Sequence, residues 1–112
     1  MLFYAMLLIT YPHRKGRLMN QNVIIDVRSP QEFANGHLEG AYNIPLDQLP
    51  LTIHSIEGLT KSSEILLYCQ SGMRSAAACS ILSQMGFERA RNGGSIATLL
   101  MNYKGAASQS AG

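Results

Sequence analysis

The chain has 112 residues, the length of one domain, with 46% apolar and 14% charged residues, which excludes a disordered polyelectrolyte. Its net charge of +2 is too small to argue for nucleic-acid binding, and the basic cluster Arg14-Lys15-Arg17 reads as a solvated turn. Two cysteines, Cys69 and Cys79, are too few for a disulfide scaffold, and no His or Cys spacing resembles a zinc site, so no metal is expected.

The chain begins with a short apolar run, Met1 to Tyr11, far below the ~20 residues that span a bilayer. The run is either a first strand, Met6 to Tyr11, or an N-terminal extension. A signal segment is the alternative, but the basic residues follow the run instead of preceding it. The expected location is therefore cytoplasmic, and periplasmic if residues 1–11 act as a signal. Pro12 to Asn22 is a polar connection. Val23 to Val27 is a β-branched run, as in a strand buried on both faces. Ser29 is then a helix N-cap, Pro30 the first helical residue and Glu32 an acid in the first turn, which predicts a short helix over Pro30 to Asn35, stopped by Gly36.

Ala41 to Ile44 is a short strand candidate. Leu49, Ile53 and Ile56 lie at helical spacing and predict a helix over Asp47 to Leu59, with Pro50 tolerable only in its first turn. Ile65 to Tyr68 is a second strongly apolar strand. Ala78, Ile81, Leu82 and Met85 form an amphipathic stripe on the next helix, stopped by Gly86. Glu88 to Arg91 is a short strand candidate, Asn92-Gly93-Gly94 a turn, and Ser95 the cap of a last helix, Ile96 to Tyr103. Residues 23–104 form the domain, and the small polar tail, 105–112, is expected to be disordered. Strands alternating with helices argue for an α/β fold with a mainly parallel sheet covered on both faces.

In such sheets, sites form at the carboxyl ends of strands, and Cys69 stands at one. A thiolate is the reactive form of cysteine, and a free thiol titrates near ~8.5. The loop Gln70-Ser71-Gly72-Met73 precedes a helix N-terminus, whose unpaired N–H groups favour negative charge, and can turn successive amides inward as an anion nest. Gly72 supplies the backbone freedom, Arg74 a fixed positive charge and Ser75 a hydroxyl. Cys79 lacks such surroundings and reads as packing. His13, His37 and His54 are distant in sequence and form no evident dyad with Cys69.

Phosphate-ester hydrolysis through a phosphocysteine and sulfur transfer through a persulfide both use such a loop. The protein tyrosine phosphatase signature has five residues between cysteine and arginine; Gln70, Ser71, Gly72 and Met73 make four here. The shorter loop is a smaller cradle, matched to a terminal sulfur. It also contains no Asp or Glu to act as general acid.

From about Val23 to Tyr103 the chain resembles the single-domain rhodaneses, the thiosulfate sulfurtransferase family, and is most similar to their small phage-shock type. The resemblance rests on Ile25-Asp26-Val27-Arg28 with Glu32 and Phe33, on Gly36-His37-Leu38 with Gly40-Ala41 and Asn43-Ile44-Pro45, on Tyr68-Cys69 with Gly72 and Arg74-Ser75, and on Gly86-Phe87 followed by Gly93-Gly94. The match departs from the family in two ways: the segment before Val23 holds no convincing helix, and no tryptophan follows Gly93-Gly94. The resemblance implies a mainly parallel five-stranded sheet with helices on both faces. It implies that Cys69 attacks the outer sulfur of a thiosulfate-like anion and carries a persulfide, which a thiol or thioredoxin-like acceptor collects. Amides of Gln70 to Ser75 would cradle the persulfide and Arg74 would orient the donor, with no metal or organic cofactor. Asp26, Arg28 and Glu32 match family positions as supports, with Arg28 and Glu32 a candidate ion pair, and His37 a hydrogen-bonded part of its turn. The alternatives are a persulfide carrier without turnover, or a phosphatase or arsenate reductase on the same fold.

Overall fold

A computed structural model describes residues 22–102. Strands β1 (Asn22–Asp26), β2 (Tyr42–Asn43), β3 (Glu64–Cys69) and β4 (Arg89–Ser95) pair in parallel in the order β2-β1-β3-β4. Helices α1 (Pro30–Ala34), α2 (Leu49–Thr52), α3 (Met73–Gln84) and α4 (Ile96–Asn102) alternate with them. The described residues thus supply four strands where five are expected. The remaining candidate, Met6 to Tyr11, lies outside the described residues, as do most of the Pro12–Asn22 connection and the 105–112 tail.

Alternating side chains of β1 and β3 send apolar residues to both faces, and both faces are covered. On one, Val23, Ile25, Ile65 and Leu67 pack against Leu49 and Ile53 and against Ala78 and Leu82 of α3. On the other, Leu38, Ala41 and Tyr68 pack against Ile96 and Leu99 of α4, with Phe33 of α1 at the margin. Cys69 belongs to the first face and Tyr68 to the second.

Two segments differ from the sequence pattern. The helix expected over Asp47 to Leu59 is broken into a 3₁₀ turn at Leu46–Gln48, the single turn α2, and a second 3₁₀ turn at Ile53–Ser55. The spaced apolar residues are buried as a helical face requires, and Pro50 falls in the first turn of α2 where a proline is tolerated, but none of these turns has a side-chain cap, and tertiary packing holds three tight turns instead of one helix. Secondly, β4 continues through Asn92-Gly93-Gly94, where a turn is expected. Leu67 pairs with Asn92 and Tyr68 with Gly94, so Gly93 is a bulge that lets the strand run on to Ser95. A Cβ on Gly93 would stand 3.1 Å from Leu66 Cδ1, which is why glycine fits there.

The helix signals are realised closely elsewhere. Ser29 and Glu32 form a reciprocal capping box on α1. At the end of α3, Gly86 N–H donates to Ser83 O and Phe87 N–H to Leu82 O, the two bonds of a Schellman motif. Ser95 Oγ accepts the Thr98 N–H at 3.1 Å as the cap of α4.

Candidate active site

Cys69 ends β3 at the carboxyl edge of the sheet and is fully buried. Its Sγ accepts hydrogen bonds from the Gly72 N–H at 3.0 Å and the Ser75 N–H at 3.4 Å, and lies 3.5 Å from Ser75 Oγ. The loop reverses at Gly72, whose φ of 97° places it in the left-handed region and allows its N–H to point back at the sulfur. A Cβ on Gly72 would stand 3.3 Å from the Gly94 Cα, so loop and β4 touch backbone to backbone.

Burial opposes ionisation of Cys69. The Ser75 hydroxyl and the N–H groups of Ser75, Gly72 and Ser71 outweigh it, and the thiol is held below its ordinary value. Cys79, in mid-helix, has burial and no such donors, and its thiol is pushed up. The two cysteines therefore differ as their sequence contexts indicate.

The remaining predicted site residues separate into rim and support. Gln70 and Ser71 are exposed, and Met73, which opens α3, is 76% exposed. Arg74 is part-buried, and its guanidinium grips Glu32 with two bonds, Nη1 to Oε1 at 2.8 Å and Nη2 to Oε2 at 3.0 Å. Glu32 also accepts the Ser29 N–H at 2.9 Å; Arg74 first and Ser29 second hold its carboxyl down to about 2. The expected Arg28–Glu32 pair is not formed. Arg28 reaches the other way and is claimed by Asp26, which accepts from Arg28 N, Nε and Nη2 at distances of 2.8–3.1 Å. Asp26 and Arg28 are both buried, and the pair is complete: Arg28 Nη2 also donates to Gly36 O at 2.7 Å and Nη1 to Gln70 Oε1 at 3.1 Å. That last bond ties the end of β1 to the first loop residue. His37 hydrogen-bonds the Phe33 carbonyl at 2.7 Å and stacks on its ring.

Sequence reasoning missed Asn92. Its Oδ1 accepts from Ser75 Oγ at 2.6 Å and from Gly94 N–H at 2.9 Å, and its Nδ2 donates to Gly72 O at 3.1 Å. The Asn-Gly-Gly run reads as a turn, which hides the signal. The clue is an amide side chain placed, with its glycines, at the same sheet edge as Cys69. A cleft of about 460 Å³ between the end of β1, the Pro45–Pro50 segment and α3 reaches Arg74.

Against known proteins, the rhodanese-like domain matches residues 13–94. The chain belongs to the rhodanese-like domain family. Among its relatives, a sulfurtransferase of Allochromatium vinosum is 36% identical over 77 residues, covering 67% of this chain and 69% of the relative. The thiosulfate sulfurtransferase PspE of Escherichia coli K12 is 35% identical over 77 residues, 69% of this chain and 73% of the relative. A solved E. coli structure, a rhodanese with anions, matches with a TM-score of 0.63 at 35% identity, covering 66% of this chain and 86% of that one. The rhodanese family's sulfurtransferase character fits a single domain with one cradled thiol. Among the described residues, no helix is long and apolar enough to cross a membrane.

Proposed function

We propose that the protein moves sulfane sulfur through a Cys69 persulfide, taking it from thiosulfate or a related persulfide donor. The carrying observation is the convergence of the Gly72 and Ser75 amides on a buried sulfur whose thiol is held below its ordinary value. The names of the two relatives support the same class of chemistry. The Cys69 thiolate attacks the outer sulfur of thiosulfate. The new S–S bond forms as the donor's own S–S bond breaks and sulfite leaves with the electron pair. Cys69 then carries one extra, anionic sulfur, within reach of the loop amides from Gln70 to Ser75. An acceptor nucleophile attacks that outer sulfur and restores the thiolate. The acceptor is cyanide in an assay, and a thiol or thioredoxin-like protein in a cell.

Arg74 supplies positive charge at the mouth of the loop. It is bound to Glu32 but 40% exposed, so it can attract a dianion electrostatically while its geometry stays fixed. Arg28 positions Gln70 and does not meet the donor.

Thiosulfate:cyanide sulfurtransferase activity of the wild type and of Cys69→Ala tests this reading. The variant is expected to fall to the uncatalysed background. Equal rates in the two would overturn it. Mass spectrometry of thiosulfate-treated protein adds a second readout: one added sulfur on the wild type, lost on cyanide treatment. A stable added sulfur with no turnover would identify a carrier instead of an enzyme.

A further inference from the structure

Asn92 is exposed, yet its amide is oriented from both ends. Nδ2 donates to Gly72 O and Oδ1 accepts the Gly94 N–H. A flipped amide would set oxygen against the Gly72 carbonyl and NH₂ against the Gly94 N–H, losing both bonds. The Asn92 atom facing Ser75 is therefore an acceptor, and across the short 2.6 Å contact the Ser75 hydroxyl donates to it. A serine hydroxyl has only one proton. While that hydrogen points at Asn92 Oδ1, Ser75 Oγ turns lone pairs toward Cys69 Sγ, 3.5 Å away. That arrangement suits a thiol, which can donate to Oγ. It does not suit a thiolate, which would meet a lone pair.

We propose that Asn92 is a positioning residue that sets the ionisation of Cys69 by competing with it for the Ser75 hydroxyl proton. In the thiol state the hydroxyl points to Asn92 Oδ1. When the thiol proton leaves to a base in solution, the hydroxyl rotates about its Cβ–Oγ bond and donates to the sulfur, and Oδ1 keeps the Gly94 N–H. Ionisation of Cys69 therefore costs the Ser75–Asn92 bond. No covalent bond changes in this step besides the S–H bond that ionises.

The consequence for turnover rests on the persulfide reading. Once sulfur is transferred, the negative charge moves to the outer atom, and the hydroxyl returns to Asn92. The residue thus favours two resting states, thiol and persulfide, over the bare thiolate between them. Among the described residues, the charged groups at this edge are Arg74 of α3, tied to Glu32 of α1, the Asp26–Arg28 pair that ends β1, and Asp47, which lines the cleft that reaches Arg74. β4 faces the site with neutral Asn92, and the α2 region packs Leu49 and Ile53 into the core of the same face.

The test is the pH profile of iodoacetamide alkylation in full-length protein carrying Cys79→Ser, so that Cys69 is the only thiol. This readout is independent of sulfur transfer: Cys69→Ala without loss of turnover would refute the proposed function and leave this measurement intact. Asn92→Ala frees the hydroxyl for the thiolate and lowers the alkylation midpoint by about one unit, a ~tenfold gain in thiolate below the midpoint. The same substitution in a Ser75→Ala background leaves the midpoint where Ser75→Ala alone puts it. Asn92→Asp keeps an acceptor, now charged, against Ser75 and raises the midpoint. A purely structural role for Asn92 predicts that Ala and Asp shift it the same way, and that the Ala shift persists without the Ser75 hydroxyl. Either result overturns the proposal.

Discussion

Strands β1 and β3 lie side by side, end on the same edge of the sheet and run through a few residues into helices, yet their ends are built for different work. At the end of β1, Asp26 and Arg28 are buried and satisfy one another, and the remaining guanidinium donors go to Gly36 O and Gln70 Oε1. At the end of β3, the donors of Gly72 and Ser75 converge on a single titratable sulfur. Donors closed on a permanent acceptor give rigidity. Donors aimed at an atom that can gain charge give reactivity. The rigid end holds the reactive one, through Arg28 to Gln70 and through Glu32 to Arg74.

The largest break in this contrast comes at the rigid end. Asp26→Asn leaves the buried Arg28 without its counter-charge, and urea unfolding is expected to show a loss of about 3–5 kcal/mol. Adding Arg28→Met should recover most of it, because the orphaned charge is then gone. A single-variant loss as small as that of a surface pair would mean that Arg28 escapes to water and that the two strand ends do not differ in kind. A smaller break comes at the reactive end. Gly72→Ala puts a side chain in the left-handed region and against the Gly94 backbone, for about 1–2 kcal/mol of strain. It also displaces the nearest amide donor from Sγ, so the Cys69 alkylation midpoint is expected to rise. An unchanged midpoint would sink the role assigned to that amide.

The smallest effect tests the link between the ends. Glu32→Gln removes a half-exposed pair and is expected to cost no more than ~1 kcal/mol. Because the Glu32 carboxyl is depressed to about 2, its contribution is complete above the ordinary carboxylate range and is lost as pH falls toward 2. The stability gap between wild type and variant should therefore be flat through neutral pH and close only in strong acid. The same substitution releases Arg74 from a competing anion and should lower the KM for thiosulfate. A raised KM would instead show that Glu32 matters by holding Arg74 in place.

Much of the reactive end is legible in the sequence because its signals are local. A strand run, a cysteine, a glycine and a helix stripe within one short stretch leave little choice of arrangement. The same holds for Ser29, Pro30 and Glu32, whose capping box is written in three nearby residues. What is not legible depends on pairing across the sheet. Glu32 is as close in sequence to Arg28 as a helix turn allows, yet bonds Arg74, because buried Asp26 takes Arg28 first. Asn92-Gly93-Gly94 has the composition of a turn, and only its register against Leu67 and Tyr68 makes it strand and bulge. In Asp47 to Leu59 the apolar spacing is right and the helix is not, since burial of Leu49, Ile53 and Ile56 is met by short turns and does not require one continuous backbone ladder.

The backbone contact between Gly72 and Gly94 also orders events during synthesis. The loop leaves the ribosome well before β4, and until β4 docks, neither Asn92 nor Gly94 is present to hold it. The Gly72 and Ser75 amides that face Cys69 Sγ precede β4 in the chain, whereas the acceptor of the Ser75 hydroxyl, Asn92, arrives with β4. A chain interrupted before β4 therefore carries the nucleophile and its amide donors without the residue that competes for the Ser75 hydroxyl.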